Sequence, residues 1–147
     1  MTTKQRVRVA AVATAVLATT LAGVGPASAN TSPSGCGTPH FVNSTGIYTV
    51  WDDRVGTLTQ YWGWCDGNLR NWAHVHLGSA TAWETKVSIQ TTDGVKHGVR
   101  VGRYGNDFTS APTATMDRRT RARVEGTILG PGQHEIALKV GVTAYTG

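Results

Sequence analysis

Hydrophobic and polar positions along this chain follow two regimes. Residues 9–24 form a run without charge, biased to Ala, Val and Leu, and Lys4, Arg6 and Arg8 stand in front of it. From residue 47 onward apolar and polar side chains alternate in short stretches broken by Gly, Asn, Asp and Pro, the period of half-buried strands. The alternation predicts strands over 47–51, 57–65, 71–77, 85–90, 95–101, 120–128 and 133–145. Asp66-Gly67-Asn68 and Thr91-Thr92-Asp93-Gly94 read as hairpin turns, and Gly130-Pro131-Gly132 joins the last pair. A three-residue loop there would set Val124 opposite Leu138 and Gly126 opposite Ile136, with the apolar side chains of both strands on one face. Residues 102–115 form a looser stretch. About seven antiparallel strands in one small domain predict an all-β fold, a sandwich or a partly closed barrel.

The front of the chain reads as an address. A basic start, an apolar run and Ala27-Ser28-Ala29 match a secretory signal peptide with its cleavage site, which places the cut before Asn30. A membrane anchor would need about 20 strongly apolar residues, whereas Thr14, Thr19, Thr20 and Gly23 dilute this run. Of 147 residues, 1–29 would leave and 118 would remain, enough for one domain with one core. The expected location is extracellular, with no membrane contact after cleavage.

Removing the leader changes the charge. The chain carries 14 Lys and Arg against nine Asp and Glu, but three of the bases lie in the leader, so eleven face nine and the net charge drops to +2. That balance gives no reason to expect a nucleic-acid partner. The two cysteines, Cys36 and Cys65, lack redox-motif spacing, and an oxidising exterior favours joining them in one disulfide.

All five Trp fall between positions 51 and 83. On a strand alternate residues share a face, so Trp62 and Trp64 point one way while Tyr61, Gly63 and Cys65 point the other. In the next strand Ala73, Val75 and Leu77 suit the core, which leaves Trp72, His74 and His76 opposite. These aromatic and imidazole side chains are candidate binding residues, since Trp presents a large apolar area with one polar handle. His74-Val75-His76 has the spacing of some metal-ligand pairs, but two ligands are not a site and no metal or other cofactor is expected. Arg119, Arg121 and Arg123 alternate with Thr120 and Ala122 just before Glu125, a stripe able to meet an acidic partner or to serve as a solvated strand face. No nucleophile elbow, phosphate-cradling loop or His-Glu-x-x-His motif occurs.

Tyr61, Cys65, Asn71, Trp72, Ala73 and Val75 give Tyr-x-x-x-Cys followed by Asn-Trp-Ala-x-Val, and Thr113-Ala114-Thr115-Met116 follows later. This pattern resembles the signature of small exported actinobacterial proteins of unknown function. In size and export the chain is also similar to adaptor subunits of secreted umbrella toxin particles, which bridge a stalk protein and lectin subunits. The expectation is a secreted, non-catalytic binding protein acting on an extracellular protein or glycan, with an adaptor role in a toxin assembly as one form of it. The alternatives are a secreted protease inhibitor using the 102–112 loop, or a small secreted hydrolase such as a ribonuclease.

Overall fold

The computed structural model describes residues 31–146, so the expected leader and the cut before Asn30 lie outside the described residues. Among the described residues nine strands form two antiparallel sheets. The four-stranded sheet has the order β1-β2-β3-β6, from His40–Tyr48, Arg54–Cys65, Asn68–Leu77 and Asp107–Thr109. The five-stranded sheet has the order β5-β4-β7-β8, from Lys96–Arg103, Thr81–Thr91, Thr120–Leu129 and Glu135–Ala137, with β9 (Gly141–Val142) also on β7. The sheets stack as a sandwich and do not close into a barrel; after β1 their backbones touch at one corner, through the isolated Thr49–Leu138 bridge and the Val50 amide on the Ala137 carbonyl at 3.0 Å.

The core is what the alternation demands. Leu58, Ala73, Val75 and Leu77 from one sheet meet Ala82, Val87, Ile89, Ala122, Val124 and Ile128 from the other, all without accessible surface. Phe108 of β6 packs against the same cluster. Among the described residues no helix is long and apolar enough to cross a membrane.

Three expectations change. The first strand runs over His40–Tyr48 rather than 47–51. It is an edge strand, exposed or half-exposed nearly throughout, so its sequence carries little alternation. Residues 49–53 form a turn instead, with the Thr49 amide donating to the Asp53 carbonyl at 2.9 Å and Asp52 at φ 69°. The stretch expected to be loose holds β6, which pairs with His74, Val75 and His76. The last hairpin is shifted: Ile136 faces Ile128, two residues from the expected Gly126, and Val124 faces Gly141 of β9, three residues from the expected Leu138. A 3-10 turn at Pro131–Gln133, closed by the Gly130 amide on the His134 carbonyl, lengthens the connection beyond three residues. This preserves the face of Ile128 and Ile136 while moving their partners.

The disulfide Cys36–Cys65 is present. It fastens residues 31–37 as a strap beside the end of β2, where the Gly37 amide donates to the Trp64 carbonyl at 2.9 Å and the Asp66 amide to the Gly35 carbonyl at 3.0 Å.

Candidate functional site

The inner face of the four-stranded sheet is longer than the sheet that covers it. Along β2 the residues of that face are Leu58, Gln60, Trp62 and Trp64, and their register partners on β3 are Val75, Ala73, Asn71 and Leu69. Burial falls off in step on both strands. Leu58 and Ala73 are 0% exposed, Gln60 and Asn71 2%, then Leu69 37% and Trp64 56%, with Trp62 between. The covering sheet therefore ends level with Gln60 and Asn71, and the apolar face continues past it as an overhang of Trp62, Trp64 and Leu69. A soluble surface seldom leaves such side chains adjacent and uncovered without a binding reason.

Where the cover ends, the space between the sheets is floored by amides and hydroxyls. Gln60 Nε2 donates to Thr120 Oγ1 at 2.8 Å, and Asn71 Nδ2 donates to the same oxygen at 3.1 Å. Asn71 Oδ1 accepts from Thr113 Oγ1 at 2.5 Å and from Thr115 Oγ1 at 2.7 Å. Each such bond adds only about 1 kcal/mol net, but a buried group left without its partner costs about 1–3 kcal/mol, so the floor is directional and hard to distort. Above it opens a cavity of about 280 Å³, with Trp62 as one wall and Phe41, Met116 and Arg118 at the mouth. His40 stacks on Trp62 with ring centroids 4.1 Å apart and planes at 16°, which covers one face of the indole and fixes its pose. Arg118 stands 3.9 Å from Asp93, an exposed pairing that leaves the guanidinium open to other partners.

The outer face of the same sheet carries Trp72, His74 and His76, opposite Tyr61, Thr59 and Thr57 in register. Trp62 and Trp72 thus lie on opposite faces and form no common platform. Trp72, expected among the binding residues, is 0% exposed. The strap covers it, and its Nε1 donates to the Thr31 carbonyl at 2.8 Å. The ring fits because residue 63 is Gly, where a Cβ would stand 2.9 Å from the indole and 3.0 Å from the Thr38 carbonyl oxygen. The remaining tryptophans lie elsewhere: Trp51 is exposed in the turn after β1, and Trp83 meets Tyr104 edge-on at 5.0 Å.

Asp107 of β6 reaches both imidazoles. Its Oδ1 takes His74 Nε2, and its Oδ2 lies 3.2 Å from His76 Nδ1. Burial pushes the pKa of the neighbouring Tyr61 hydroxyl up, and the Asp107 carboxylate adds to the shift against a hydrogen bond with Thr59. Among the described residues no group of three or more His, Cys, Asp or Glu could hold a metal ion. Here the imidazole nitrogens are turned onto a carboxylate instead. The sequence marks Asp107 only by its place in an Asp-Phe-Thr alternation around the core residue Phe108.

The arginine stripe is on the outer face of the five-stranded sheet, and one of its three charges, that of Arg123, is ion-paired there. Arg123 grips Glu125 Oε2 through Nε at 3.0 Å and Nη2 at 2.6 Å, while Lys96 Nζ takes Oε1 at 2.5 Å. Burial alone would raise the Glu125 pKa, but Lys96 and Arg123 outweigh it and hold the carboxyl below the usual range. Arg121 donates to Gln90 Oε1 at 3.0 Å and lies 4.5 Å over the Tyr145 ring. Arg119 precedes β7 and is exposed. Arg123 is thus ion-paired, Arg121 is held by a neutral amide and a ring, and Arg119 stands exposed just before the strand.

The 102–112 segment expected as an inhibitory loop is tied down through β6, and the Ser110 amide donates to the Ala73 carbonyl at 2.8 Å. No known protein family matches this chain, and neither a curated protein nor a solved structure matches it.

Proposed function

We propose that this chain is an extracellular, non-catalytic binding module whose partner is another secreted protein, seated on the Trp62–Trp64–Leu69 overhang with a side chain in the cavity beside it. The observation that carries this reading is the parallel loss of cover along β2 and β3, which leaves an apolar face unpaired next to a preformed cavity. Aromatic residues, Met and Arg are the types enriched at the centres of protein interfaces, and Trp62, Trp64, Met116 and Arg118 supply them here. A protein is favoured over a glycan because His40 already occupies one face of Trp62, which reduces the ring surface left for a sugar. An adaptor in a toxin assembly is one form of this function.

The test is a capture from culture supernatant with the wild type and with Trp64→Ala, followed by affinity measurement on the purified pair and a parallel screen against glycans. A central Trp is worth about 2 kcal/mol or more, so Trp64→Ala weakens the complex by about thirtyfold while circular dichroism stays unchanged. Capture indifferent to Trp64, binding confined to glycans, or turnover of RNA or peptidoglycan at catalytic protein concentrations would each overturn the reading.

A further inference from the structure

We propose that the groove between Arg54 and His76, at the opposite end of the β2–β3 hairpin from the overhang, binds a tetrahedral oxyanion, a phosphate or sulfate ester. Arg54, Thr57, His76 and Ser79 line one open cavity of about 360 Å³. Arg54 is held in place by its own strand, with Nε on the Gly56 carbonyl at 3.4 Å and Nη2 on Thr57 Oγ1 at 3.3 Å. Both contacts are to neutral oxygens, and among the described residues Arg54 makes no salt bridge. Its charge is therefore uncompensated at the groove.

His76 supplies the second donor. Asp107 holds its Nδ1, so Nε2 is the nitrogen left for a ligand, and the side chain is 54% exposed. The groups around this imidazole are Asp107 from β6, His74 two residues earlier on the same face, and Thr57 directly opposite in register. His74 is nearly buried, so the more exposed His76 is the imidazole that stands in the groove with Arg54. The Arg54 guanidinium, the His76 imidazole and the hydroxyls of Thr57 and Ser79 together offer a set of donors suited to an oxyanion. The protonated imidazole is needed for donation from Nε2 when Nδ1 is already donating to Asp107.

Isotope-labelled protein titrated with inorganic phosphate and, separately, with sulfate tests the site by NMR, with chloride at matched ionic strength as reference. Saturable shifts at His76 and Arg54 are expected for at least one of the two anions, and the stronger identifies the ester. His76→Gln and Arg54→Gln, both at exposed positions, each weaken that binding by about tenfold with folding intact by circular dichroism. Shifts that grow linearly, that chloride reproduces, or that survive both substitutions would overturn the proposal. Trp64→Ala should bind the anion as the wild type does, so failure here leaves the protein-binding reading standing, and failure there leaves this one.

Discussion

Replacing Cys36 and Cys65 together by Ala tests how the strap contributes to the fold. The bridge spans 29 residues of sequence. Loop-closure entropy for that length gives about 3.5 kcal/mol at 25 °C through restriction of the unfolded chain. The folded state should change little, because the strap keeps the Trp72 indole bond to Thr31 and the backbone bonds of Gly37 and Asp66. Ala is the better replacement, since Cys65 is buried and a serine hydroxyl there would need a partner. With a urea slope of about 1.5 kcal/mol/M for a domain of this size, the unfolding midpoint should fall by about 2 M. Tryptophan fluorescence follows the transition, and Trp72 adds a local probe because only the strap and its neighbours keep it dry. A midpoint shift under about 0.5 M would refute the argument from unfolded-chain entropy. A red shift of the variant's emission before the main transition would refute the claim that the strap stays docked without its bridge.

Two further outcomes follow from packing and charge. Glu125 has a depressed folded pKa, so its pairs with Lys96 and Arg123 stabilise the protein above the ordinary carboxylate range and stop doing so as pH falls through the folded value; Glu125→Gln should flatten the fall in thermal midpoint between about pH 5 and pH 3, and an unchanged slope would count against it. Gly126 sits at φ 109° where an added Cβ would meet the Glu84 carbonyl oxygen at 2.1 Å, whereas Gly94, at φ 83°, has nothing within 4 Å. Gly126→Ala should therefore cost more than about 3 kcal/mol and Gly94→Ala about 1 kcal/mol by denaturant melts, and equal losses would show that backbone strain alone decides both.

The sheets were legible where alternation is enforced by burial on one side. Strands β2, β3, β4 and β7 each carry a core row, and their sequences show it. Strand β1 carries no such mark because an exposed edge imposes no core row, and β6 carries none because three residues are too few to show a period. The shared face of Trp62 and Trp64 followed from period two alone. That this face overhangs its cover did not, because it depends on where the opposing sheet stops. Nor could the sequence show that Trp72 lies under the strap or that Asp107 reaches two histidines across 31 and 33 residues. The partial neutralisation of the arginine stripe was hinted at by Glu125, but Lys96 comes from another strand.

The pairing of β4 with β7 brackets β5, β6 and their loops, with Thr91 opposite Thr120 as the innermost pair. A chain must close that long loop before any of the pairing is rewarded, whereas β2 and β3 meet across a turn at Asp66 and Gly67. Hairpins form in about 1–10 μs, while sandwiches with distant strand pairs take milliseconds to seconds. For that interval the finished hairpin carries Leu58, Val75 and Leu77 as well as the overhang with no second sheet above them. Refolding yield should consequently depend on how dilute the chains are while they wait, and each collision in that window is a competitor to the sheet that arrives late.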